Sequence, residues 1–432
     1  MHSALEVEGS GFFFGDGSML AEKPTLVSIV CYAVVVLLSS TSALAESPWR
    51  DPHPQRLNGF VEGREFLYDS SSFINRFSYR QLSDSPAPGE DGLSGTGGSV
   101  TGDQLYLVIN LQKTLYFDDD RYGIVARAQR REDFDGRFDR QLIGVQRRFG
   151  DDWRAALVAD VSGDKGEVDF QYEATWQRDD TQKLRLALVQ VDRLYNNKSN
   201  SDNKYERTPV TLFAHYQQQI GSRMSADLAV NYSPRAQYED RENALYIRGD
   251  QLRIAASLAF ALPGEWHSEL SFKLENTDRE YRSLVPAESA GPDAFSRRMR
   301  SVTWEVMSEA TAQYHGGLHY FMMDEQGWMG QNLATSGFHR RDESLLFAGL
   351  TLARRASSWW QPTLYIGKID VDRVMWQRPD DNHRADEWQA RLTLPWRYVV
   401  QRQSGAVLTL NPTLNLDSLK FGGGNIQLHW PF

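Results

Sequence analysis

Ionisable residues recur in this chain on one phase of an apolar/polar alternation. Arg127, Arg131, Arg140, Arg148, Arg154 and Arg185 occupy that polar phase in the first half. Asp169, Glu173, Glu269, Glu275, Glu305 and Glu309 share it, with Arg253, Lys273 and Arg391 interspersed. Side chains two apart point to one face of a strand, so these charges belong to a common surface. A guanidinium stays charged and grips carboxylates in a two-pronged fork, which suits arginines to anionic solutes. The first three arginine-bearing segments are consecutive and predict one basic wall, with much of the acid further along. Opposite charges across a narrow space set up a field that orients polar solutes. The same residues also fit a plainer reading, in which they solvate a wide wall and pair with neighbours.

Other chemistry finds little support. A hydrolase needs a nucleophile beside a histidine. His215, His267 and His429 fall on the polar phase, but no nucleophile motif surrounds them. Asp118-Asp119-Asp120 lacks the spaced oxygen ligands of a calcium loop and is expected to be a solvated turn. Gly422-Gly423-Gly424 has no Lys-Ser/Thr partner for a phosphate and is expected to be a flexible connection. His339-Arg340-Arg341-Asp342 is expected in an exposed loop. The expectation is no enzyme, no cofactor and no metal. With 57 Asp and Glu against 47 Lys and Arg, the net charge of −10 excludes the basic footprint of a nucleic-acid binder.

The elements that position these charges are strands. In 168–177, Val168, Phe170, Tyr172, Ala174 and Trp176 oppose Asp169, Gln171, Glu173, Thr175 and Gln177. Trp266, Ser268, Leu270, Phe272 and Leu274 oppose His267, Glu269, Ser271, Lys273 and Glu275 in the same way. Such segments run about 10–13 residues, beyond the usual globular strand and enough to cross a bilayer at a tilt. Segments near 57–77, 103–117, 122–133, 137–149, 153–161, 167–177, 182–193, 207–219 and 223–234 alternate. So do 250–261, 266–277, 299–314, 317–324, 343–355, 359–371, 386–397, 404–415 and 422–432. That is about 18 strands, with 16 as the alternative, and an even number returns both ends to one side.

Tight turns at 118–120, 150–152, 179–181, 221–222, 263–265, 316–317 and 357–358 alternate with longer links at 194–206, 234–249, 278–298, 325–342 and 372–385. Trp153, Trp176, Trp266, Tyr314, Trp359, Trp360, Trp396 and Trp430 are expected to form a girdle near the strand ends. Such rings favour a membrane interface, where the body is apolar and the polar tip stays wet.

The N-terminus reads as an export signal. Lys23 precedes an apolar run over 26–38, then Ala43-Leu44-Ala45. The expected division is a signal peptide over 1–45, with Met19 an alternative start, a short periplasmic segment over 46–56 and a barrel over 57–432. Cys31, the one cysteine, lies inside the signal.

The chain ends with Ile426, Leu428, Trp430 and Phe432 on one face, the last residue aromatic. This resembles the C-terminal assembly strand of Gram-negative outer-membrane β-barrel proteins, although Pro431 departs from it. The resemblance implies an all-β antiparallel transmembrane barrel in the outer membrane. It implies contact with lipid and lipopolysaccharide, and recognition by the barrel-assembly machinery. The expected function is a porin-like channel for small polar solutes, including anionic ones. An exopolysaccharide export conduit, similar in plan to alginate exporters, and a plugged barrel with a surface-binding role remain open. Oligomeric state is also open.

Overall fold

The structure is a computed structural model. It describes residues 87–99, 105–133, 136–161, 170–179, 181–190, 204–207, 210–240, 245–283, 293–308, 313–328, 337–355, 358–375, 382–401 and 406–431. The strands in chain order are β1 (Gly92–Ser99), β2 (Leu105–Phe117), β3 (Tyr122–Asp133), β4 (Gly136–Phe149), β5 (Trp153–Asp160), β6 (Phe170–Asp179) and β7 (Gln182–Gln190). They continue β8 (Lys204–Arg207), β9 (Val210–Ile220), β10 (Met224–Asp240), β11 (Leu245–Leu262), β12 (Trp266–Ser283), β13 (Asp293–Ser308), β14 (Gln313–Trp328) and β15 (Gly337–Arg355). The last are β16 (Ser358–Trp360), β17 (Thr363–Met375), β18 (His383–Thr393), β19 (Trp396–Gln401), β20 (Ala406–Asn415) and β21 (Lys420–Pro431).

Every strand pairing is antiparallel, and apart from the closure each runs between consecutive staves of the chain. Three staves are each made of two segments, β8 with β9, β16 with β17 and β18 with β19, which leaves 18 staves. β1 pairs with β2 on one side and β21 on the other, so the sheet is a closed barrel. Closure removes the exposed edge that an open sheet would carry. Gly92 lies opposite both Gln112 and Pro431, so the two ends of the ring meet at the end that carries the turns 118–121, 150–152, 221–223 and 263–265. We call this the short-turn end.

The closing stave differs from the expected one. The segment 57–77 lies outside the described residues, and the place between β2 and β21 is taken by the glycine-rich Gly92–Ser99. Periodicity could not reveal it, because GLSGTGGS has almost no apolar phase. Glycine is needed at this seam: a Cβ on Gly98 would fall 2.3 Å from the Gly424 carbonyl oxygen. Gly422-Gly423-Gly424 is correspondingly part of β21 and not a connection before it, beside a register shift against β20. The Gly316-Gly317 turn is also absent. Both residues lie inside β14, which begins at Gln313. A Cβ on Gly317 would sit 1.9 Å from the Trp304 carbonyl oxygen, so this glycine serves close strand approach.

Several expected loops are strand. β10 to β15 carry 16–19 residues each and absorb most of 234–249, 278–298 and 325–342. His339-Arg340-Arg341-Asp342 therefore belongs to β15. These staves exceed the bilayer requirement of about 9–11 residues, so one sector of the wall is taller than the rest. Leu115, Ile143, Val145, Leu270, Leu318 and Leu346 are exposed on the outer face. The combination of apolar exterior, polar interior and closed antiparallel ring is the architecture of an outer-membrane barrel.

Candidate functional site

The alternation carries the charged phase to the inner face, where most of it is buried. Arg127 on β3 donates from Nε and Nη2 to Gln112 Oε1 on β2, at 3.0 and 2.7 Å. Its Nη1 meets Glu173 Oε1 on β6 at 2.7 Å. Arg185 on β7 donates to the other Glu173 oxygen at 2.9 Å, and Gln171 Nε2 adds a bond of 2.8 Å. The Glu173 carboxylate is thus held by two guanidiniums and an amide, the satisfaction that a buried charge requires. Arg140 on β4 pairs with Asp160 on β5 at 3.4 Å.

Arg127 bridges β2 to β6. β3 and β6 are three staves apart, about 14 Å along the wall at the usual strand spacing. Contact at 2.7 Å requires the wall to curl so that inner side chains meet across it. Val125, Leu142 and Val158 are sealed beneath this layer as an apolar cluster. The expected basic wall is therefore corrected to a mixed lattice, in which Arg127, Arg140 and Arg185 are each matched by acid.

The opposite sector repeats the pattern. Glu275 on β12 pairs with Arg253 on β11 at 2.8 Å and with Arg297 on β13. Arg341 pairs with Glu343 on β15, and Arg391 Nη2 donates to Gln389 Oε1 at 2.6 Å. Glu269 lies opposite Glu305 in the β12–β13 register, and Lys273 opposite Ser301. Arg148 reaches the rim and bonds Gly150 O and Asp151. Arg131 is placed on β3 opposite Val108. Asp169, Glu309 and Phe432 lie outside the described residues.

Three histidines are hydrogen-bonded to other staves. His215 Nε2 and Asp227 are 2.8 Å apart, and His319 Nδ1 bonds Thr303. His315 bonds Thr363 at 2.8 Å by passing over Gly349, where a Cβ would fall 2.5 Å from its ring. His267 is buried opposite Met307. His429 is exposed on the inner phase of β21.

The short-turn mouth holds residues that the sequence reading did not select. Ala87-Pro88-Gly89-Glu90 forms a turn closed by Glu90 N donating to Ala87 O at 3.0 Å. Gly89 has φ +87°, the left-handed value that a Pro-Gly turn places on glycine. Inner-face Gln112 donates from Nε2 to Ala87 O at 3.0 Å and Glu90 O at 2.9 Å. Lys183 on β7 pairs with Glu90. Arg154 on β5 lies over Gly89, where a Cβ would fall 1.7 Å from Nη1. Asp91 accepts from Thr114 N at 2.9 Å and Thr114 Oγ1 at 2.7 Å, fixing the entry to β1. The Pro-Gly pair was the available signal, but nothing local shows which wall a turn will meet. Burial disfavours the Glu90 carboxylate, but Lys183 and then Ala87 N and Arg185 outweigh this and hold its pKa below the usual value.

The aromatic set collects at the short-turn end. Trp153 and Trp176 pair across β5 and β6 with ring centroids 6.3 Å apart. Trp266, Tyr314, Trp360 and Trp430 are exposed, and Trp396 Nε1 donates to Ser358 at 2.8 Å. Trp359 differs. It alternates with Trp360, lies opposite Ala353 and Arg397, and carries the Arg397 guanidinium 4.7 Å from its centroid. Two adjacent strand residues cannot share a face, so Trp359 points inward. On β21, Ile426 and Trp430 are exposed, with Leu428 half-buried on the same phase.

No family model and no curated protein matches the chain. Solved structures similar to it include a BenF-like porin from Pseudomonas fluorescens Pf-5, at 11% identity and TM-score 0.38, over 79% of this chain and 98% of that one. Acinetobacter baumannii OccAB1 is similar at 11% identity and TM-score 0.39, over 82% and 99%. Pseudomonas aeruginosa OprD is similar at 11% identity and TM-score 0.39, over 82% and 98%. At these scores the likeness decides nothing about this chain, and the 18-stave barrel rests on its own strand pairings.

Proposed function

We propose that the protein is a porin-like outer-membrane channel for small polar solutes. The observation that carries this is the closed ring with its polar inner face and apolar outer face. A wide closed barrel with such an interior serves solute passage and needs no catalytic group. Anion preference is the finer part of the reading, and it rests on Arg154. Among the described residues no carboxylate pairs with this inner guanidinium, whereas Arg127, Arg140 and Arg185 are neutralised in place. The outer face is assigned to lipid and lipopolysaccharide, and β21 to the assembly machinery.

Reconstitution in a planar bilayer tests both parts. Open single-channel steps with anion preference, lost in Arg154→Gln, are the expected result. Open steps without preference remove the anion assignment. A folded but silent barrel removes the channel and favours a surface-binding role.

A further inference from the structure

The Ala87–Glu90 turn has no role in closing the barrel. β1 begins only at Gly92, and its register with β2 and β21 is complete without the turn. Yet the turn is seated by three staves. Gln112 on β2 spends its amide on two of the turn's carbonyls, Arg154 on β5 covers Gly89, and Lys183 on β7 holds Glu90. β2 and β7 are five staves apart in the ring. One four-residue turn that touches both must stand off the wall and into the bore.

We propose that the Ala87–Glu90 turn is the selectivity-determining constriction of the bore, built from the chain's own N-terminal segment at the short-turn mouth. The turn narrows the passage and sets Glu90, Lys183 and Arg154 around it. Its parts fit that task. Proline presets φ at the first corner and Gly89 supplies the positive φ at the second, which makes the turn compact. Glu90 and Lys183 are both partly solvent-exposed, so their pairing is open to solutes and salt, unlike the buried Arg127–Glu173 pair. The bonds from the Gln112 side-chain amide to the turn's carbonyls keep it seated while that ion pair exchanges.

This inference rests on the channel reading, and the test separates the two. The full chain is reconstituted with Cys31→Ser, adding Glu90→Lys, Lys183→Glu or both. Barrel folding is checked by heat-dependent gel mobility. Glu90→Lys faces Lys183, Arg185 and Arg154 and is expected to unseat the turn, raising conductance by about twofold or more because a pore's narrowest point dominates its resistance. The double reversal is expected to restore the parent value. Independently, a thiol at Ala87, which is 2% exposed, is expected to be shielded from a membrane-impermeant maleimide and uncovered by Lys183→Glu. Labelling of Ala87→Cys at the unfolded rate in the parent barrel overturns the seat itself. A shielded thiol uncovered by reversal, with conductance unchanged, overturns the constriction. Shielding and release with every variant silent defeats the channel reading while the seat stands.

Discussion

Glu173 is held on the inner face by Arg127, Arg185 and Gln171, and these neighbours set the cost of changing it. Removing one partner from a buried pair leaves a charge without compensation. Arg127→Ala is expected to destabilise the barrel by about 3 kcal/mol, the low end for such a break, because Arg185 still holds one Glu173 oxygen. Urea titration of the folded barrel measures this, and Arg127→Met with Glu173→Gln should recover part of the loss. At Glu90 the folded pKa is depressed, so its contribution is present above the unfolded value and lost as pH falls through the folded one. Lys183 and Arg185 on β7, Arg154 on β5 and Gln112 on β2 surround it, and the adjacent Asp91 is bonded to Thr114. Acidification into the carboxylate range is therefore expected to uncover a thiol at Ala87, read as a rise in maleimide labelling. Which residues point inward was legible from spacing alone. Which ones meet was not: Gln112, Asp160 and Lys183 look like ordinary polar strand residues until the wall curls.

Turns and strand ends show a second kind of limit. Asp118, Asp119 and Asp120 all adopt positive φ, at 52°, 51° and 64°, and Arg121 N bonds Asp118 O at 3.0 Å. Aspartate tolerates the left-handed region better than most residues, which explains three in a row at this expected turn. Asp119→Gly should stabilise the barrel, and Asp119→Val should cost about 1 kcal/mol or more, since a β-branched residue pays the full left-handed penalty. Denaturant midpoints distinguish them. Glycine misled in the opposite direction at Gly316-Gly317. A glycine pair in sequence signals a turn, but at Gly317 it admits the Trp304 carbonyl instead. Spacing predicts loops only at the long-link ends of β10 to β15, because those ends are dense in charge and a strand rising clear of the membrane needs no apolar phase.

For the whole molecule, the facing of the wall is the testable property. Leu270→Arg puts a cation on the exposed lipid face and is expected to cost about 2–4 kcal/mol if it lies near the midplane. Glu269→Gln, on the adjacent inward phase, should insert and fold, and a membrane-insertion assay compares the two. The sequence by itself determined that the chain forms a long antiparallel barrel with charge inside, because strand alternation is a local, period-two property. It also marked the final strand. Only the tertiary structure decided that β1 is Gly92–Ser99, that Arg127, Arg140 and Arg185 are neutralised by Glu173 and Asp160, and that a Pro-Gly turn is held by side chains of β2, β5 and β7. Those facts depend on which staves the closed ring brings together, and residues far apart in the chain carry no local signature of meeting.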